Sequence, residues 1–170
     1  MSANMQSEAA SLKAKAGKYL TFLVKSEVYG LEILKVQEII GMMKITRVPR
    51  TPAFIRGVIN LRGKVIPVID LRLQFGLEKQ EDTEKTCIIV VQVAREGGQK
   101  IVMGILVDEV SEVLNIDSSQ LEPAPELGSG VNTDFILAIG KVGQKVVIIL
   151  DIDRVLTAHD LAAAAEAAKK

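Results

Sequence analysis

Residues 54–71 read FIRGVINLRGKVIPVIDL, and residues 135–152 read FILAIGKVGQKVVIILDI. At an offset of 81 residues Phe54-Ile55 falls on Phe135-Ile136, Val58 on Ile139, Leu61 on Val142, Lys64-Val65 on Lys145-Val146, Val68-Ile69 on Ile149-Leu150, and Asp70-Leu71 on Asp151-Ile152. Apolar positions match apolar positions and the aspartate recurs. A second match, at an offset of 74, sets Gly30-Leu31 on Gly104-Ile105, Ile33 on Val107, Val36 on Val110, Glu38 on Glu112 and Ile39-Ile40 on Val113-Leu114. Both matches keep the same order along the chain, which marks an internal repeat.

The repeated unit is a β unit. The chain holds 19 Val and 18 Ile against six aromatic residues, and β-branched side chains suit a pleated, half-buried surface. Short apolar runs bounded by turn residues predict strands at 19–24, 30–33, 36–40, 57–61, 64–69, 86–94, 100–107, 110–116, 135–142 and 144–150. Gly97-Gly98, between two of these runs, predicts a tight hairpin at 95–99. Asp70 and Asp151 each precede a short helical pattern, where a carboxylate caps the first free amides. Pro52 suggests one further helical turn over 51–56. The mostly charged stretch 78–85 reads as a linker, 122–134 as a long loop, 1–16 as a disordered polar tail, and the Ala-rich stretch 158–170 as a C-terminal helix or tail.

Two similar subdomains follow, about 17–76 and 86–156, each of five antiparallel strands curled into a small barrel with a short helix near its end. A single barrel of that size has a thin core. The unbroken apolar runs 87–91 and 146–150 predict burial on both faces, so the subdomains pack on a shared hydrophobic core. The alternative is one irregular β sandwich with a coincidental repeat.

Composition narrows the function. Lys plus Arg number 21 and Asp plus Glu number 21, so the chain has neither a strongly basic nor an acidic character. One Cys and one His exclude an internal disulfide and a conventional structural zinc site. No run of about 18 apolar residues and no export signal occur, which predicts a cytoplasmic protein with no membrane insertion. His159 falls in the Ala-rich tail. Cys87 opens an apolar strand with no cationic neighbour and reads as a core filler. Asp151 and Asp153 stand two apart at a helix start, a spacing that does not share a helix face. No phosphate loop or nucleophile elbow appears, so the reading is non-catalytic, with no cofactor.

Charge placement is the remaining signal. Between Glu38 and Asp70 lie Lys44, Arg47, Arg50, Arg56, Arg62 and Lys64 with no acid among them. They form either a solvated face or a basic rim for an acidic partner. A single-stranded nucleic-acid barrel is the rival reading, weakened because Phe54 is the only aromatic residue there for base stacking. Arg62 sits in a tight turn, Asn60-Leu61-Arg62-Gly63-Lys64, with Gly63 able to supply positive φ. Its side chain projects from the sheet, within reach of Glu38 if the strands lie side by side.

These residues resemble the CheW family, the coupling proteins of bacterial chemotaxis. The likeness runs through Lys35-Val36-Gln37-Glu38-Ile39, Thr51 to Val58, Asn60-Leu61-Arg62-Gly63, Ile66 to Leu71 and Gly104 to Val110, and covers about residues 18–157. It implies two SH3-like β barrels around a shared core, with no covalent chemistry. It also implies a bridge between the cytoplasmic tips of methyl-accepting chemoreceptors and the regulatory domain of a CheA histidine kinase. Carried over by position, Val36, Glu38, Gly57, Arg62, Gly104, Val110 and Val113 would form or support the receptor contact. Ile39, Ile40, Met42 and Met43 would form the kinase contact, where adaptable Met suits an interface.

Overall fold

The computed structural model describes residues 16–78, 81–94, 100–124 and 135–155. The hairpin tip 95–99, the loop glycines of 128–132, the tail 1–15, His159 and the Ala-rich stretch lie outside them. Eleven strands form among the described residues: β1 (Gly17–Val24), β2 (Glu27–Glu32), β3 (Val36–Gly41), β4 (Ile55–Leu61), β5 (Lys64–Asp70), β6 (Cys87–Ala94), β7 (Lys100–Val107), β8 (Glu109–Ile116), β9 (Leu121–Glu122), β10 (Ile136–Val142) and β11 (Lys145–Leu150). Two short helices, α1 (Leu71–Gln74) and α2 (Ile152–Val155), follow the paired repeat strands β5 and β11. Asp70 caps α1 as expected, its Oδ1 accepting the Arg72 amide at 3.0 Å, and Asp151 accepts the Asp153 amide at 3.1 Å. Over 51–56 there is no helix: Ile55 donates to the Pro52 carbonyl in one turn and β4 starts at once.

The strands make two mixed sheets, ordered β8-β1-β2-β11-β10-β9 and β3-β6-β7-β5-β4. The order corrects the expectation of two subdomains lying one after the other in the chain. Hairpin β1-β2 joins a sheet otherwise built from β8 to β11, while β6-β7 inserts between β3 and β5. The expectation of purely antiparallel pairing also fails, because β2 runs parallel to β11 and β5 parallel to β7. The repeat offsets survive in the registers: Gly30 faces Ile149 and Gly104 faces Val68 across those parallel pairs, and 74 and 81 residues separate the equivalents.

Neither sheet is closed by a ladder among the described residues, so barrel closure is not what the pairing shows. Both sheets nevertheless curl. β8 and β9 occupy opposite edges of the first sheet, yet only a 3-10 turn at Ser118–Gln120 divides them in sequence. Asp117 and Gln120 secure that turn as a reciprocal capping box. In the second sheet the counterpart of β9 shrinks to one bridge, in which Thr46 and Val58 exchange backbone hydrogen bonds of 2.8 and 2.9 Å.

Alternation on doubly covered strands divides the core in three. On β6, Ile88 and Val90 face the interior of the second sheet with Ile59, Ile66, Val68 and Leu106. Ile89, Val91 and Val93 face the other way, into a core shared with Leu20, Phe22, Val24, Leu31 and Leu150 of the first sheet. Tyr19, Ile116, Ala138, Val147 and Ile149 fill the first sheet's own interior. The predicted burial on both faces therefore holds for Ile88 to Val91, all fully buried, whereas Val146 of the other run is 57% exposed.

Candidate functional site

A type I′ hairpin turn requires positive φ at both central positions, and Arg62 (φ 53°) and Gly63 (φ 87°) supply it between β4 and β5. Asn60 Oδ1 accepts the Gly63 amide at 2.8 Å and holds the turn. From this strained position the Arg62 guanidinium donates through both terminal nitrogens to the two Glu38 oxygens, each at 2.9 Å. Such a parallel fork is the strongest geometry open to an arginine and a carboxylate. The pairing raises the Arg62 pKa further above its ordinary value. Glu38 is on β3 and Arg62 at the end of β4, at opposite edges of the second sheet. The curl, rather than side-by-side pairing, brings them together. Beside the pair lies a groove of about 370 Å³ whose lining includes Gln37, Leu61, Lys64, Ile66 and Val102.

The other candidate receptor residues divide by role. Val36 and Val110, equivalent in the repeat, are half-buried against the shared core. Val113 is half-exposed on β8, opposite Leu20. Gly57 and Gly104 are packing positions. A Cβ on Gly57, at φ 148°, would overlap the Thr46 carbonyl, and one on Gly104 would lie 2.6 Å from Ile88 Cγ2. Of the candidate kinase residues, Ile39, Met42 and Met43 are exposed on and just beyond edge strand β3, while Ile40 packs partly into the second sheet's interior.

The basic stretch does not act as one face. Arg56 contacts Asp70 at 3.4 Å and Asp82 at 2.6 Å, and Arg62 is held by Glu38, which leaves Lys44, Arg47, Arg50 and Lys64 exposed without an ion pair among the described residues. Sequence reasoning missed Arg72, which is 1% exposed and donates to Asp70 (3.0 and 3.1 Å) and Asp108 (3.1 Å). Burial opposes its charge, but Asp70, Asp108 and Asp82 outweigh that and raise its pKa. The sequence did carry a signal: an arginine two residues after a capping aspartate, on a helix too short to reach open solvent. Cys87 is half-buried, its thiol pKa pushed up chiefly by desolvation, as suits a core filler. No group of three or more metal-ligating side chains occurs among the described residues.

Residues 18–160 match the CheW-like domain family. The chemotaxis protein CheW of Klebsiella aerogenes is 40% identical over 152 residues, 89% of each chain. That of Bacillus subtilis is 38% identical over 140 residues, 82% of this chain and 86% of the relative. The crystal structure of the scaffolding protein TtCheW from Thermoanaerobacter tengcongensis superposes with a TM-score of 0.74 at 39% identity, covering 85% of this chain and 95% of that one.

Proposed function

This chain belongs to the CheW family, and from that premise we propose that it is a non-catalytic adaptor joining chemoreceptors to a CheA-type histidine kinase. The observation that carries the reading is the match over residues 18–160, within which every candidate contact residue falls. Each curled sheet acts as an SH3-like barrel, and the pair offers two docking faces, one drawing on both sheets and one at the β3 edge of the second. Val36, Glu38, Arg62, Val110 and Val113 meet the receptor tip, with Gly57 and Gly104 keeping that surface in shape. Ile39, Met42 and Met43, backed by Ile40, meet the regulatory domain of the kinase. No helix among the described residues is long and apolar enough to cross a membrane, which suits a cytoplasmic protein recruited beneath receptor arrays. The nucleic-acid reading loses support because carboxylates of this chain already engage Arg56 and Arg62.

Co-sedimentation with receptor fragments and CheA kinase, with kinase activity read alongside, tests both levels. Wild-type chain is expected to bring the two into one pellet and raise activity; failure to do so overturns the adaptor reading. Arg62→Ala is expected to keep the native circular dichroism spectrum and lower receptor-dependent activity about tenfold, the loss typical of an interface anchor. Activity equal to wild type would remove Arg62 from the contact.

A further inference from the structure

Among the described residues the chain passes between the two sheets only twice, at the 3-10 turn Ile33–Lys35 between β2 and β3 and at Asp108 between β7 and β8. The repeat offset of 74 sets Leu34 on Asp108, so the two crossings are equivalent places in the fold. Each is tied by an ion pair to the helix that ends the neighbouring repeat: Lys35 Nζ to Asp153 on α2 at 2.9 Å, and Asp108 to Arg72 on α1 at 3.1 Å. Arg72 and Asp153 are themselves equivalent at the offset of 81. In both ties the carboxylate also accepts an amide at the end of a hairpin's first strand, Ala94 to Asp153 at 2.8 Å and Lys25 to Asp108 at 2.7 Å. Only the polarity differs, with the cation on the crossing in one case and on the helix in the other.

The two ties also differ in how firmly they hold. Arg72 is 1% exposed and ringed by Asp70, Asp82 and Asp108, so separating it would strand charges out of water. Lys35 and Asp153 are 34% and 28% exposed and have no second ion-pair partner among the described residues, so water can replace either one. The looser tie directly precedes Val36 and β3, and through Ala94 it holds the far end of β6, the strand beside β3. Packed layers respond to a partner by small sliding shifts, and a tie between them selects among those shifts.

We infer that the Lys35–Asp153 pair is a releasable clamp that sets the angle between the two lobes, with the Arg72 cluster as the fixed pivot, and that receptor docking works against it at the start of β3, the strand that carries both Val36 and Glu38 and the kinase-facing Ile39 and Ile40. The coupling half of this statement rests on the adaptor reading; the clamp itself does not. Lys35 and Asp153 are positioning residues and touch no partner.

Hydrogen exchange on the purified chain, paired with the receptor–kinase assay, tests it. Lys35→Met is expected to speed exchange of the Ala94 amide several-fold while the Lys25 amide, held by Asp108, stays as in wild type. Binding to receptor fragments alone and to kinase alone stays within about twofold, as for a surface substitution. Receptor-dependent activation falls about fivefold or more, the scale of a lost coupling. Lys35→Arg restores both readouts. Unchanged Ala94 exchange in Lys35→Met overturns the clamp, and faster exchange with undiminished activation overturns its part in coupling. A wild-type chain that fails to couple receptor and kinase sinks the adaptor reading instead, and the exchange comparison still decides whether the clamp exists.

Discussion

At Gly104 a Cβ would meet Ile88 Cγ2 at 2.6 Å and Val68 Cγ2 at 3.3 Å, both on strands that flank β7. The absent methyl lets β6 and β5 close over β7 from the inner face, and its equivalent Gly30 stands under Ile149 and Val147 in the same way. Substitution here acts on the fold first and on any partner second. Gly104→Ala is expected to lower the stability by about 1–3 kcal/mol in urea denaturation, the usual cost of overpacking. In an Ile88→Ala background that cost should nearly vanish; additive costs would show that Ile88 is not what the new methyl strikes. Sequence reading could name Gly57 and Gly104 from a resemblance, but their neighbours lie on other strands, so the reason for glycine was not visible in it. The same holds at Arg62. The turn chemistry points to positive φ at Gly63 alone, whereas the type I′ turn that forms places both Arg62 and Gly63 there, and the fork to Glu38 holds the arginine in place.

The helix α1 is one turn long and exists to place Arg72. Leu71 is fully buried on one side, Asp70 caps the start, and the next side chain is thereby driven into a pocket of three carboxylates. Removing the guanidinium leaves the fully buried Asp70 with Arg56, at 3.4 Å, as its remaining cation. Arg72→Met should therefore cost about 3–5 kcal/mol in urea denaturation, the penalty for breaking a buried pair from one side. A loss under about 1 kcal/mol would mean that the cluster contributes specificity and little stability. Elements were legible where one rule governs them: short apolar runs bounded by turn residues located ten strands to within a few residues. Two failures share a cause. β9 is two residues long and carries no period, and over 51–56 a proline consistent with a helix start serves a single turn, because the Thr46 bridge and the pairing with β5 draw the chain straight into β4.

Across the whole molecule the repeat was readable and its partition was not. The offsets of 74 and 81 follow from local likeness, which reports which strands are equivalent and is silent on which equivalent joins which sheet. The charged stretch 78–85 looked like a boundary, yet it connects β5 and β6 of one sheet. Each hairpin, β1-β2 and β6-β7, crosses to complete the other half, so each half supplies one side of the other's core: Ile66 and Val68 need Ile88, Val90 and Leu106, and Tyr19 needs Ile116, Ala138, Val147 and Ile149. A chain cut in this linker should then give two fragments, residues 1–80 and 81–170, that have no cooperative thermal transition apart. Mixed in equal amounts they should recover the circular dichroism spectrum and a single melt, at a midpoint that rises with concentration because association replaces a covalent link. Lobes that were contiguous in sequence would behave oppositely, each fragment melting cooperatively by itself. That outcome would also remove the physical basis for placing both inter-sheet crossings at Lys35 and Asp108, since only an exchange of hairpins forces the chain to cross there.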